Sequence, residues 1–299
     1  MAIHKPVLLQ ETITNLKLSA GMVVVDGTLG GGGHAREIIK SIAPNGTLVG
    51  VDVDNNTLDK TKSELEVFAK ELSVHAIFAN DSFRNLKEIT SNASLQEVNA
   101  ILLDLGFSSD QMDLSGRGFS HQRDEPLQMN LATTEGITAL DIVNTWDEAG
   151  IEEILRDYGE EQFATEIAKK ICEVREQAPI MKTTDLVQVI MSATPSWYHH
   201  RKIHPATKTF QALRIAVNDE LGALREFLQQ VPSVIASKGR LAVISFHSLE
   251  DRIVKLQFVA WERSGIAKRV NKKVIKPERE EVLTNRRSRS AKLRVCEFI

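Results

Sequence analysis

Hydrophobic and polar positions in this chain follow two rhythms. Over the first hundred residues, short aliphatic runs bounded by turn formers alternate with stretches whose apolar positions recur every three or four residues. The runs Val23-Val24-Val25-Asp26, Gly46-Thr47-Leu48-Val49-Gly50-Val51-Asp52, residues 74–79 and Val98-Asn99-Ala100-Ile101-Leu102-Leu103-Asp104 read as buried parallel strands. Residues 10–16, 35–40 and 57–72 read as helices, the last with Leu58, Leu65, Phe68, Ala69 and Leu72 on one face. Strands alternating with helices predict a doubly wound α/β sheet.

After Asp104 the strand pattern stops. Helical periodicity covers 137–145, 147–158, 161–177 and 184–193; the third stretch has Phe163, Ile167, Ala168, Ile171, Cys172 and Val174 on one face. This predicts an all-helical insertion, 110–204, within an α/β domain built from 1–109 and 205–299. The second part of that domain reads as one long helix over 209–228, a fifth strand over 239–247 and a helix opening at Ser248. The closing run Leu293-Arg294-Val295-Cys296-Glu297-Phe298-Ile299 alternates as a strand expected at the sheet edge.

Composition narrows the class. The chain has 299 residues, 42% hydrophobic and 26% charged, as in a soluble globular protein. No apolar run approaches the roughly 20 residues that cross a bilayer, and the start lacks a signal-peptide core. Cys172 and Cys296 form neither a metal spacing nor a disulfide framework, so a reducing cytoplasm is expected. The net charge of −3 argues against an unspecific nucleic-acid binder. Residues 264–299, with eleven Lys or Arg against four Glu, suit either a phosphate backbone or a solvated basic tail.

The chemistry concentrates in Asp26-Gly27-Thr28-Leu29-Gly30-Gly31-Gly32-Gly33-His34, where a strand passes through glycines into a helix. Gly30, Gly32 and Ala35 partly match a dinucleotide fingerprint. Asp26 would repel a pyrophosphate, whereas it suits the positive amino and sulfonium groups of S-adenosylmethionine. Asp52, nineteen residues past Gly33, sits where ribose hydroxyls are held, with Asp54 as competitor. Asp104 is a third acid at a strand tip. Phe83 either packs on an adenine or staples a helix, and His247 either faces the site or makes a structural hydrogen bond. The run from Trp197 through Arg201, Lys202 and His204 to Lys208 suits stacking on unpaired bases with phosphate contact, or else a solvent loop around a buried Trp197. The rival readings are an NAD-dependent dehydrogenase and a non-enzymatic RNA-binding factor.

The segments HKPVLLQET, VVDGTLGGGGH, ILLDLGFSSDQMD, RGFS, IHPATKTFQALRIAVNDEL and ISFHSLEDRIVK together resemble the bacterial 16S rRNA (cytosine-N4)-methyltransferases of the MraW family. The resemblance runs from His4 to the end of the chain. It implies a class I, Rossmann-like methyltransferase sheet with an inserted helical substrate domain, S-adenosylmethionine as donor with no metal, and a decoding-centre cytidine of the small ribosomal subunit as acceptor. It places cofactor contacts on Gly32, Gly33, His34, Asp52, Phe83, Asp104 and Gln111, and implies a homodimer. The cytosine N4 lone pair is delocalised into the ring, so an acceptor for its protons is needed. Asp104, or a loop carbonyl after it, is expected to fill that role, with Phe107 or Phe119 packing on the base.

Overall fold

The computed structural model describes residues 6–106, 116–131 and 136–299. Its strands are β1 (Val23–Asp26), β2 (Thr47–Asp52), β3 (His75–Asn80), β4 (Val98–Asp104), β5 (Ile235–Ser245), β6 (Ala267–Arg269) and β7 (Lys292–Phe298). Helices among the described residues are α1 (Leu9–Leu16), α2 (Gly33–Ile42), α3 (Asn55–Glu71), α4 (Leu86–Asn92), α5 (Ala139–Thr145), α6 (Glu148–Asp157) and α7 (Ala164–Arg175). They continue with α8 (Thr183–Ala193), α9 (Ser196–His199), α10 (Ala206–Asn218), α11 (Glu220–Gln230), α12 (Ser248–Arg263) and α13 (Arg279–Thr284). None of them is long and apolar enough to cross a membrane. The chain divides into two compact units, one formed by Met1–Ser108 with Leu221–Ile299, the other by Ser109–Glu220.

The first unit is a seven-stranded sheet in the order β3-β2-β1-β4-β5-β7-β6. The first five strands of that order run parallel, and β7 enters antiparallel between β5 and β6. Successive side chains of a strand point to opposite faces, so the aliphatic runs feed two cores. Val25, Val49, Ile101, Leu103 and Val243 pack with Leu224, Phe227, Val254 and Phe258 of α11 and α12. Val24, Leu48, Ala100, Leu102 and Ala242 pack on the other face with Ile38, Ile39, Leu58 and Leu65 of α2 and α3. A sheet buried on both faces needs unbroken apolar strands, which is the pattern the sequence shows.

Besides short elements that the pattern does not show, two expected elements differ in kind. The stretch 209–228 is two helices, because Asp219 takes a left-handed conformation (φ 45°) that ends α10 before α11 begins at Glu220. β7 is an interior strand, since the three-residue β6, too short to show alternation, covers its outer side.

The second unit is helical. α7 packs against α6 and α8 through Ile167, Ala168 and Ile171, all fully buried. Capping fixes where its helices begin: Thr138 accepts the Asp141 N–H while Asp141 accepts the Thr138 N–H, and Asp147 accepts the Gly150 N–H. The sequence pattern ends the insertion at 204. The compact unit extends to Glu220, because α10 packs on α5, α6 and α8.

Candidate active site

β1, β2 and β4 are neighbours and parallel, so their carboxyl ends deliver Asp26, Asp52 and Asp104 to one edge of the sheet. The chain leaving β1 is suspended over that edge by its backbone. Gly27 N–H donates to the Leu102 carbonyl at 2.9 Å and Leu29 N–H to the Val51 carbonyl at 2.8 Å. Thr28, unremarked in the sequence, ties two of the acids together. Its N–H donates to Asp26 Oδ1 at 3.2 Å, and its hydroxyl accepts the Asp104 N–H at 2.6 Å. Thr61 of α3 donates to the Gly30 carbonyl at 2.7 Å.

Two glycines of the turn differ in what constrains them. Gly32 has φ +73°, and a Cβ on it would lie 2.8 Å from Thr61 Cγ2, so any side chain is both strained and obstructed. A Cβ on Gly31 would meet nothing within 4 Å, so this glycine faces open space.

The acids are buried and incompletely partnered. Asp26 is 1% exposed, and its Oδ2 has no hydrogen-bond partner among the described residues; the same is true of Asp104 Oδ1. Burial, reinforced by the charge of Asp52, pushes the Asp26 carboxyl up to about 7. Burial and the charges of Asp26 and Glu250 push Asp104 up to about 8. Asp52 is also raised by burial, to about 6, against the opposing effect of two N–H groups. Those donors are Gly30 N–H to Oδ2 at 2.8 Å and Asp54 N–H to Oδ1 at 2.9 Å. Three clustered carboxylates with spare lone pairs are an unfavourable place for an anion and a favourable one for a cation. Asp54 accepts the Asn56 N–H at 3.2 Å and caps α3.

His34 opens α2 and is 6% exposed. Its Nε2 lies 3.1 Å from the Val7 carbonyl oxygen and its Nδ1 3.6 Å from Asp104 Oδ2. A Cβ on the neighbouring Gly33 would stand 2.9 Å from Pro6 Cγ, so the chain N-terminal to α1 lies closely over the glycine turn. Phe83 follows β3 on a single 3-10 turn (Phe83–Asn85), half-buried and edge-on to Phe227 at 5.7 Å. Its Cβ is 3.4 Å from the position a Cβ on Gly27 would take, so it stands beside the start of the glycine turn. His247 lies 3.1 Å from Glu250 Oε1, while the other oxygen of Glu250 accepts the N–H groups of Phe246 and His247. Gln111 and Phe107 lie outside the described residues. Phe119 is buried in the helical unit with Arg117 over its ring, which corrects the expectation that it packs on a base.

In the helical unit Trp197 is 56% exposed, so the reading of a loop around a buried tryptophan is overturned. Its ring leans on Phe163 and Tyr198, and the Arg201 guanidinium lies 5.5 Å from its centroid. Lys202 and His204 are exposed on the same stretch, and His204 stacks on His121 at 4.5 Å. Lys208 turns inward and donates to the Glu160 carbonyl. At the basic C-terminal end of the chain, Arg269 pairs with Glu262, and both Lys292 and Arg294 pair with Asp251. Part of the local positive charge is thereby neutralised by acids outside 264–299.

The whole chain, residues 1–299, matches the model of the MraW methylase family. A ribosomal RNA small subunit methyltransferase H from Dictyoglomus thermophilum is 45% identical over 99% of this chain and 97% of its own length. Its namesake from Syntrophus aciditrophicus is 41% identical over 99% and 98%. Among solved structures, an rRNA methylase from Streptococcus thermophilus covers 100% of this chain and 99% of its own at 12% identity, with a TM-score of 0.45. A seven-stranded sheet with one antiparallel strand, a glycine turn over three strand-tip acids and identity extending across full-length relatives lead to one statement: this chain belongs to the MraW methylase family.

Proposed function

We propose that the chain transfers a methyl group from S-adenosylmethionine to the exocyclic N4 of a cytidine in the decoding centre of 16S rRNA, working on the small ribosomal subunit in the cytoplasm. The observation that carries the donor half is the pair of buried, unpartnered carboxylate oxygens on Asp26 and Asp104 beside a glycine turn open at Gly31. A pyrophosphate would bring more negative charge to these acids, which disfavours the NAD-dependent reading. A pure RNA-binding protein has no use for them. The names of the full-length relatives support small-subunit rRNA as the acceptor.

When bound, S-adenosylmethionine supplies an electrophilic methyl group on a positively charged sulfur. In this reading Gly32, Gly33 and His34 hold it at the turn, Asp52 accepts from the ribose hydroxyls, Phe83 packs on the adenine, and Gln111 contributes as the family resemblance implies. Asp104 accepts from the N4 amino group and so helps localise its lone pair. The displacement is in line, so most of the catalytic effect comes from alignment. The helical unit binds the RNA: Trp197 stacks on an unpaired base while Arg201, Lys202 and His204 face phosphates; Lys208, expected to join them, is instead engaged by the Glu160 carbonyl. The protein acts as a homodimer.

The test is transfer of labelled methyl from S-adenosylmethionine to small subunits that lack the modification, followed by nucleoside analysis. Label in N4-methylcytidine or its 2′-O-methylated form supports donor, acceptor and position together. Tight donor binding with no label in the RNA overturns the acceptor assignment.

A further inference from the structure

We propose that this site binds its methyl donor with release of a proton shared between Asp104 and His34, and that the same pair takes up the proton the acceptor must shed. The inference rests on S-adenosylmethionine being the donor.

The argument starts from the imidazole of His34. A carbonyl oxygen can only accept, so the 3.1 Å contact with Val7 requires the hydrogen to be on Nε2. In the neutral ring Nδ1 then presents a lone pair, and it does so toward Asp104 Oδ2, 3.6 Å away. Two lone pairs facing each other inside the protein repel, unless one proton sits on either the carboxyl or the ring. The charged groups acting on Asp104 are acidic, namely Asp26 from β1, with Asp52 of β2 behind it, and Glu250 from α12, and they outweigh the hydrogen bond from the Gly106 N–H that favours its carboxylate. Glu250 is itself held by the Phe246 and His247 N–H groups, with the His247 ring at 3.1 Å. A pair so surrounded retains its proton at neutral pH, consistent with an Asp104 carboxyl raised to about 8.

A sulfonium placed in this cluster reverses the balance. A positive neighbour favours the carboxylate, and the shared proton leaves to solvent. On transfer, the bond between sulfur and the methyl carbon breaks and its electron pair stays on sulfur, while a new bond joins the carbon to the acceptor nitrogen. The positive charge has now moved to that nitrogen, which sheds a proton to the Asp104 carboxylate or His34 Nδ1. The pair thus regains its proton when the charge that displaced it is gone. The neutral thioether product then faces an already neutralised site, and nothing electrostatic holds it there.

Isothermal titration of the full chain with S-adenosylmethionine and with S-adenosylhomocysteine, in phosphate and in Tris between pH 5.5 and 7.5, tests this. Donor binding should release about one proton and strengthen toward tenfold per pH unit. Product binding should release none and change by less than about twofold over the same range. Equal proton release for the two ligands overturns the inference. Asp104→Asn, which cannot ionise, should release about one proton fewer than the wild type on donor binding, the remaining pH dependence coming from Asp26 and Asp52, and should weaken the preference for donor over product. If that variant does not fold, the comparison of the two ligands on the wild-type chain is decisive by itself. Failure of the donor to bind at any pH would instead overturn the donor assignment in the proposed function, whereas pH-independent donor binding overturns only the proton linkage.

Discussion

The Tyr198 hydroxyl lies 2.7 and 3.0 Å from the two carboxylate oxygens of Glu161, an acid that is only 4% exposed. Glu161 also accepts the Phe163 N–H at 3.0 Å, so one buried carboxylate joins the start of α7 to the short α9. Burial and the adjacent Glu161 charge hold the tyrosine in its neutral, donating form well above its ordinary range. The exposed Trp197 and Arg201 are supported from beneath by this pair.

Tyr198→Phe removes the donor and leaves the carboxylate buried with one hydrogen bond fewer. The expected cost is about 1–3 kcal/mol of stability, the penalty of an unsatisfied buried acceptor. Denaturant unfolding checks it. Tyr198→Phe with Glu161→Gln should recover part of the loss, because the buried charge is removed as well. If the single variant is as stable as the wild type, the pair does not support α9.

Most of the frame was legible because buried parallel strands are continuous aliphatic runs and their tips are marked by acids. The edges of β1, β2 and β4 and the helices α5 to α8 follow from pattern alone. What escaped notice depends on single residues or very short elements. One left-handed residue, Asp219, divides a helix whose apolar periodicity continues through it. Three residues of β6 decide whether β7 is an edge or an interior strand. Within the site, glycines and acids were visible as residue types. The ties through the Thr28 and Thr61 hydroxyls were not, since a threonine near a strand tip has no sequence signature of its own.

The acid cluster should give the unliganded protein an unusual pH dependence. The folded-state values of Asp26, Asp52 and Asp104, about 7, 6 and 8, stand above the unfolded value of 3.8. Between pH 4 and 8 the folded state therefore binds more protons than the unfolded state, and stability falls as pH rises through that window. Asp251 behaves in the opposite sense: although burial opposes it, the Arg294 and Lys292 partners lower its value, so its contribution is complete above 3.8 and is lost only in stronger acid. The melting temperature should accordingly drop by at least about 4 °C between pH 6 and pH 8.5. Asp26→Asn should be the more stable protein at pH 8.5 and should flatten the curve. A melting temperature that does not change over this range would mean that these carboxylates are ionised at no cost.

Substitutions in the glycine turn separate backbone strain from ligand contact. Gly32→Ala forces a side chain into a left-handed residue and against Thr61, so it should destabilise the fold by about 1–3 kcal/mol as well as weaken donor binding. Gly31→Ala meets no protein atom, so its melting temperature should match the wild type. Its affinity for S-adenosylmethionine should nevertheless fall about tenfold or more if the ligand passes over this face, as backbone-close glycines in nucleotide turns require. Calorimetric titration beside thermal unfolding reads both. Unchanged affinity in Gly31→Ala would move the ligand away from the turn.

The exposed end of the helical unit allows a test on RNA without any chemistry. Trp197 is more than half exposed and contributes little to the core, so Trp197→Ala should leave unfolding within about 0.5 kcal/mol of wild type. Loss of one stacking platform should weaken binding of a single-stranded decoding-centre oligonucleotide by about 1–3 kcal/mol, nearly independently of salt. Lys202→Ala removes a charge instead of a stacking surface. Its loss should be smaller at high salt and should reduce the slope of log affinity against log salt by about 0.7, the single-strand value for one phosphate contact. Fluorescence anisotropy across a salt series distinguishes the two. Parallel salt slopes for wild type and Lys202→Ala would show that this lysine meets no phosphate. Unchanged affinity in Trp197→Ala would assign the exposed indole to a partner other than RNA.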